Sequence, residues 1–197
     1  MFFYWITHGT LMFKRKMITD LKSVYIDRPA EDYNLFVRLA KKYKFYDIPE
    51  VLVKVRVRND SLCGKSWNLI KNDIDKMRLE QLSDLNIIPT TEEQKLHLAL
   101  VDRNYTLLAK SSLYKIYDWI NKVVKANNDM NIFPITYFNS QWQFRATRLL
   151  KYKNKKTISN IYNFNYLSKK LGNVFDIRTL FYLYRYQYNN FTNTNYE

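Results

Sequence analysis

Two adjacent carboxylates, Glu31 and Asp32, stand at the start of an apolar-faced segment and are the first candidates for chemistry. A carboxylate in the first turn of a helix is stabilised by the helix dipole, which is a sufficient structural reason for such a pair. The same dipole keeps a carboxylate ionised, and a general base must be ionised. Because successive helical side chains point roughly 100° apart, only one of the two can face a given site. The spacing alone leaves both interpretations open.

The other polar candidates are scattered along the chain. His8 is adjacent to a glycine, which is typical of a turn or a sheet edge, whereas His97 lies between apolar positions of a predicted helix and is interpreted as structural. Arg56 and Arg58 alternate along a predicted strand, so they share one face, where they bind an anion or meet solvent. Two distant histidines and the single Cys63 make no metal-ligand spacing.

The secondary-structure elements predicted around these residues indicate an α/β unit. Residues 2–6 and 10–15 read as short strands, and residues 44–57 read as two strand pieces broken at Pro49. Between them, residues 31–43 carry the apolar spacing of a helix. That spacing is set by Leu35, Phe36, Leu39, Ala40 and Tyr43.

The remainder of the chain is predicted to be mostly α-helical. Apolar stripes at 67–77, 98–108 and 113–124 each indicate a helix, and a fourth helix is expected after Pro134. Three segments follow from this pattern. Residues 1–65 form the α/β part, residues 66–150 a helical extension, and residues 151–197 a basic, Asn- and Tyr-rich tail that is helical or partly disordered.

The composition limits the classes of binding partner and the cellular compartment. The formal net charge is +14, with the excess at the two ends of the chain, so the protein attracts phosphates of nucleic acid, anionic lipid or small molecules. The single cysteine excludes an internal disulfide and fits a reducing compartment. The opening segment lacks the basic residue and the cleavage site of a signal peptide. We expect a cytoplasmic protein, and contact with a membrane surface stays open.

The order of motifs resembles the second half of a family 2 glycosyltransferase of GT-A fold. The matching stretches are "THGTLMFKRKMI" at 7–18, "AEDYNLFVRLAKKYKFYDIPEVLVKVRVRNDS" at 30–61 and, more loosely, the helical residues 95–133. Members of this family carry His-x-x-x-Met-Phe-Arg-Arg in the first stretch, and Glu-Asp-Tyr-Asp-Leu-Trp-x-Arg followed by a strand in the second. The resemblance covers about residues 1–150 and implies a partial GT-A-like domain followed by the helical region.

The resemblance implies a role for each candidate. Asp32 matches the catalytic base, which deprotonates an acceptor hydroxyl as that hydroxyl displaces a nucleoside diphosphate with inversion. Glu31, His8, Thr10 and Arg38 match acceptor-side or supporting positions. The expected partners are a nucleotide-sugar and a glycan or lipid-linked acceptor.

Two departures from the family bear on activity. Arg56 and Arg58 are expected to face phosphate, but Arg58 replaces a family histidine and cannot ligate a metal. The nucleotide-binding half with its Asp-x-Asp, which holds Mn²⁺ or Mg²⁺ in the family, has no counterpart here, so no cofactor is expected in this chain. We therefore expect a truncated protein that is inactive without a nucleotide-binding half, which a separate gene could encode. The alternative is a basic, non-catalytic module that binds an anionic membrane surface or, less favoured, nucleic acid.

Overall fold

The computed structural model of this chain describes residues 8–21, 23–46, 48, 50–54, 56 and 66–154. The chain divides into two compact units, Met1–Gln81 and Leu82–Glu197. Within the described ranges, no helix is both long enough and apolar enough to span a membrane. The segment boundaries predicted at 65/66 and 150/151 stay predictions.

The first unit is organised around one buried helix. A 3₁₀ turn, His8–Thr10, precedes helix α1 (Arg15–Thr19), helix α2 (Glu31–Ala40) and helix α3 (Trp67–Glu80). One face of α2 packs on α3 and the other packs on the segment that contains α1. The α3 side holds Ala30, Tyr33, Ile74 and Met77, and the other side holds Leu35, Phe36 and Leu39 with Leu11, Met17, Ile18, Leu21, Val24 and Tyr43. Because both faces are covered, α2 is fixed in direction from its first turn.

An ion pair fixes the beginning of α2 against α3. The Arg28 guanidinium donates two hydrogen bonds to the Asp73 carboxylate, Nε to Oδ2 at 2.9 Å and Nη2 to Oδ1 at 2.5 Å. The same Oδ2 accepts the backbone N–H of Ala30 at 3.1 Å, one residue before the helix starts. Ala30 has no side chain that could cap α2, and Asp73 supplies that acceptor from another helix.

The predicted helix over 31–43 exists but ends earlier, at Ala40. Tyr43 lies beyond it in a turn that its backbone N–H closes on the Leu39 carbonyl at 2.8 Å. The Tyr43 hydroxyl donates to Asp20 at 2.8 Å, and this bond raises the pKa of Tyr43. The apolar stripe continues into the turn, so periodicity alone overestimates the helix length.

The α/β fold class predicted for the first unit is wrong, because no described residue lies in a strand. Thr10 closes the 3₁₀ turn, residues 11–14 are irregular and Arg15 begins α1; the predicted strand at 2–6 lies outside the described residues. The described residues of 44–57 are also irregular, and Val51 is 91% exposed. An apolar, β-branched run becomes a strand only when a neighbouring strand takes its backbone hydrogen bonds. Sequence alternation does not report that partner.

The second unit is helical, as predicted. It contains a 3₁₀ turn at Ser83–Leu85, α4 (Thr91–Val101), α5 (Tyr105–Lys110), α6 (Leu113–Met130) and α7 (Ile135–Asn154). Thr90 forms a complete capping box with Glu93 at the start of α4. Helix α7 begins directly after Pro134, which confirms the fourth helix that was predicted there.

The predicted helix across 98–108 is interrupted. Arg103 has a φ of 57°, in the left-handed region, and separates α4 from α5. The backbone N–H of Asn104 bonds the Ala99 carbonyl at 2.8 Å, and that of Arg103 bonds the Leu100 carbonyl at 3.3 Å. This pair of bonds is a Schellman motif, which usually has glycine where Arg103 stands. The apolar stripe continues through the break because both short helices face the same core.

The core of the second unit is formed by side chains of α4, α5, α6 and α7. Its fully buried side chains include Leu100, Leu108, Ile116, Ile120, Val123, Phe138 and Leu149. Asn127 is also buried, and its amide holds the α6–α7 connection by accepting the N–H of Phe133 and donating to its carbonyl. His97 is buried with ring centroids 5.7 Å from Trp119 and 5.8 Å from Trp142, which agrees with its structural interpretation.

Candidate functional site

Asp32 occupies the second position of α2 and is half-buried. Its Oδ1 accepts the backbone N–H of Tyr33 at 2.7 Å, a geometry that directs the carboxylate toward the helix N-terminus. The side chain is therefore a half-buried carboxylate in the first turn of α2, with one oxygen bonded to the backbone.

His8 is held against α2 by two aromatic rings. Its Nε2 and the Tyr25 hydroxyl are 2.8 Å apart, and the tautomer decides which of them donates. The His8 ring packs edge-on against Tyr25, with centroids 5.6 Å apart, and against Phe36, with centroids 6.1 Å apart. The imidazole is half-buried, so one side of the ring stays accessible to solvent.

Asp32 and His8 belong to the same side of α2. Phe36 follows Asp32 by four residues, and side chains four apart lie one above the other on a helix face. The ring of Phe36 that His8 contacts is therefore one turn along from the Asp32 carboxylate. The fold brings together the His8 imidazole and the Tyr25 hydroxyl from segments that are distant in sequence, and the Asp32 carboxylate lies on the same side of α2.

Arg38 is a supporting residue in this geometry. Its guanidinium donates from Nε to the Asn34 side-chain oxygen at 2.9 Å and from its two terminal nitrogens to the carbonyls of Ser23 and Val24. These bonds hold the segment that carries Tyr25 against α2. Arg38 therefore fixes the partner of His8.

The remaining candidates are less constrained. Glu31 is the first residue of α2 and is half-buried, and Thr10 is exposed at the end of the 3₁₀ turn. Arg56 is exposed, and Arg58 lies outside the described residues. Because the stretch around Arg56 is irregular, the argument that Arg56 and Arg58 share a strand face no longer has a basis.

The arrangement of the described acidic residues bears on metal binding. In that part of the chain, no group of three His, Cys, Asp or Glu side chains could hold a metal ion. Asp73 and Asp75 of α3 have the spacing of an Asp-x-Asp motif, and both carboxylates form ion pairs. Asp73 binds Arg28, and Asp75 binds Lys71 and Arg78. The Arg28 hydrogen bonds hold the pKa of Asp73 below its usual value, which keeps this carboxylate ionised as an anchor.

Sequence reasoning missed two groups at this site. Tyr25 lies in a loop without periodicity, and its bond to His8 spans 17 residues. Arg28 and Asp73 are 45 residues apart, and each alone is an ordinary surface type. The sequence around the Glu-Asp pair predicts neither contact, because both depend on the conformation of the loop before α2.

The chain was also compared with known proteins. No protein-family model, no curated protein and no solved structure matches it.

Proposed function

We propose that the first unit is the acceptor side of a sugar transferase in which Asp32 is the general base. The observation that carries this proposal is the position of Asp32 in the first turn of α2, half-buried, one helical turn from the Phe36 ring that supports His8. The resemblance of residues 7–18 and 30–61 to family 2 glycosyltransferases supports it. The proposal concerns the site and its chemistry and not the α/β fold.

The proposed reaction is an inverting displacement. An acceptor hydroxyl donates a hydrogen bond to Asp32, and the carboxylate takes that proton as the hydroxyl oxygen forms a bond to the anomeric carbon. The bond from that carbon to the diphosphate breaks, and the nucleoside diphosphate leaves with the electron pair. A positioned base of this kind contributes about 10²–10⁴ in rate.

His8 and Tyr25 act as the polar wall of the acceptor site. Their mutual hydrogen bond at 2.8 Å fixes both rings, and the imidazole nitrogen that is not used can bond a second acceptor hydroxyl. Arg38 is the positioning residue, because it holds the Tyr25 segment. The nucleotide-sugar and its cation are bound by a nucleotide-binding half that a separate gene could encode.

The proposal is tested by supplying that half in trans. The purified chain is mixed with the separately expressed nucleotide-binding half of a family 2 glycosyltransferase, nucleotide-sugars, Mn²⁺ and a panel of acceptor glycans, and release of nucleoside diphosphate is measured. We expect transfer that Asp32→Asn lowers at least about a hundredfold, with donor binding nearly unchanged.

Asp27→Asn is the matched control, because Asp27 is an exposed aspartate just ahead of α2. It should leave transfer within a factor of two. Equal transfer rates for the wild type and Asp32→Asn would refute the assignment of Asp32. Without the second half, calorimetry should detect no micromolar nucleotide-sugar binding; tight metal-dependent binding by the chain alone would show that the donor site is misplaced.

A further inference from the structure

A second cluster of charged and aromatic side chains lies in the second unit and shares no residue with the proposed transferase site. Helix α7 places residues 144, 148 and 152 on one face, because they are spaced by four. The Arg103 turn and the first residue of α5 lie against that face. We call the set the arginine–tyrosine cluster: Arg103, Tyr105, Phe144, Arg148 and Tyr152.

Two guanidinium groups share one ring in this cluster. The Arg103 Cζ lies 5.6 Å from the Phe144 ring centroid, and the Arg148 Cζ lies 5.1 Å from it. The Phe144 side chain is 39% exposed, and Arg148 is exposed as well. Both guanidinium groups therefore lie over one accessible aromatic ring.

Two tyrosines lie beside the Phe144 ring and its guanidinium groups. Tyr105 and Tyr152 stack with centroids 5.8 Å apart, and the Tyr152 hydroxyl is 3.2 Å from Thr106 Oγ1. Burial raises the pKa of Tyr105, while Arg103, Arg148 and Arg145 act in the opposite direction. The Tyr105 hydroxyl therefore lies within the field of three guanidinium groups.

The backbone gives an independent indication. Arg103 adopts a left-handed φ of 57° at a Schellman position where glycine is the unstrained choice. A non-glycine residue in this conformation is strained, because its Cβ lies too close to the following carbonyl oxygen. A side chain kept despite this strain is expected to have a use that glycine could not serve.

Neighbouring cations of the unit are arranged differently. Lys115, Lys122 and Lys125 bind Glu92, Glu93 and Asp129. The exposed guanidinium of Arg148 instead lies over an aromatic ring. Arginine presents a planar fork that matches phosphate oxygens in pairs, and aromatic rings supply an apolar surface for the group attached to the phosphate.

We propose that the arginine–tyrosine cluster binds a phosphate monoester. Such a group carries a charge of about −1.5 to −2, which two guanidinium groups can neutralise together. A phospholipid head group and a free organic phosphate offer the same chemistry. The site does not depend on sugar transfer at Asp32, since it lies wholly on α5, α7 and the turn before α5.

The test uses phenyl phosphate and the full chain. Binding is followed through the Nε–H signals of the arginine side chains in ¹H–¹⁵N spectra. Arg103→Gly removes one guanidinium and relieves the left-handed strain, so the fold is retained, and Arg148→Gln removes the other from an exposed site. We expect each variant to bind about tenfold more weakly. Lys125→Gln removes one charge from the same unit and should change affinity less than twofold.

Vesicles separate the two sources of phosphate. Phosphatidylcholine vesicles with and without phosphatidic acid are sedimented with the wild type and both arginine variants. Cosedimentation with phosphatidic acid that both variants lose assigns a lipid head group, and phenyl phosphate binding without cosedimentation assigns a free ester. The proposal is overturned if both arginine variants bind phenyl phosphate as the wild type does, or if Lys125→Gln loses as much affinity as they do.

Discussion

At the scale of single residues, the pair of Arg28 and Asp73 is the anchor on which the position of Asp32 depends. Both side chains are mostly buried, at 18% and 12% exposure, and Asp73 also accepts the Ala30 N–H at the start of α2. Losing Arg28 would leave a carboxylate in poor contact with water. We expect Arg28→Ala to lower the free energy of unfolding by about 3 kcal/mol.

The same pair predicts a dependence on acid. The pKa of Asp73 is depressed in the folded state, so its stabilising contribution is full above the unfolded value of about 3.9 and is lost as the pH falls below that value. In urea unfolding, the wild type should have a lower free energy of unfolding below about pH 4 than at neutral pH, and Asp73→Asn should lack this decrease. An equal drop in wild type and variant would contradict the assignment of Asp73 as the titrating group.

Tyr117 offers a second residue-scale test. Its hydroxyl is buried without a hydrogen-bond partner among the residues that the structure describes, and burial raises the pKa of Tyr117. A buried polar group without a partner costs about 1–3 kcal/mol. We expect Tyr117→Phe to raise the free energy of unfolding by about 1 kcal/mol, measured by chemical denaturation. A loss of stability would reveal a bond to the hydroxyl.

At the scale of elements, helices were predictable and strands were not. The stripes at 67–77 and 113–124 and the proline before residue 135 mark helices that exist, because a helix makes its own backbone hydrogen bonds. The predicted strands at 10–15 and 44–57 depended on partners elsewhere, which no local pattern encodes. For the same reason Asp32 could be assigned to a helix start from sequence, while its neighbours Tyr25 and Arg28 could not.

Helix α4 provides the test at this scale. The Thr90 hydroxyl accepts the Glu93 N–H at 3.3 Å, and the Glu93 carboxylate accepts the Thr90 N–H at 2.8 Å. Glu93 also pairs with Lys122 of α6, so the cap joins two helices. We expect Thr90→Ala to lower the free energy of unfolding by about 1 kcal/mol. Thr91→Ala, at an exposed first position, should lower it by less than half of that, and equal losses would contradict the capping role.

At the scale of the whole molecule, charge dominates the behaviour toward polyanions. The formal net charge of +14 attracts phosphate backbones without any base-reading motif. We expect any affinity for single-stranded DNA to be independent of sequence and to fall at least about tenfold between low and moderate salt, measured by fluorescence anisotropy. A sequence-specific complex that survives high salt would contradict this expectation and favour the nucleic-acid module.

The account as a whole depends on contact between Asp32 and an acceptor hydroxyl. This contact can be tested with the chain alone. The measurement is saturation-transfer NMR with the glycans that a microarray selects, on the wild type, Asp32→Asn and Asp27→Asn. We predict selective glycan binding that Asp32→Asn weakens about tenfold, because a hydrogen bond to a charged carboxylate contributes about 1.5–3 kcal/mol. Asp27→Asn should bind within a factor of two of the wild type. Glycan binding that is equal in all three proteins, or absent from all three, would contradict the account.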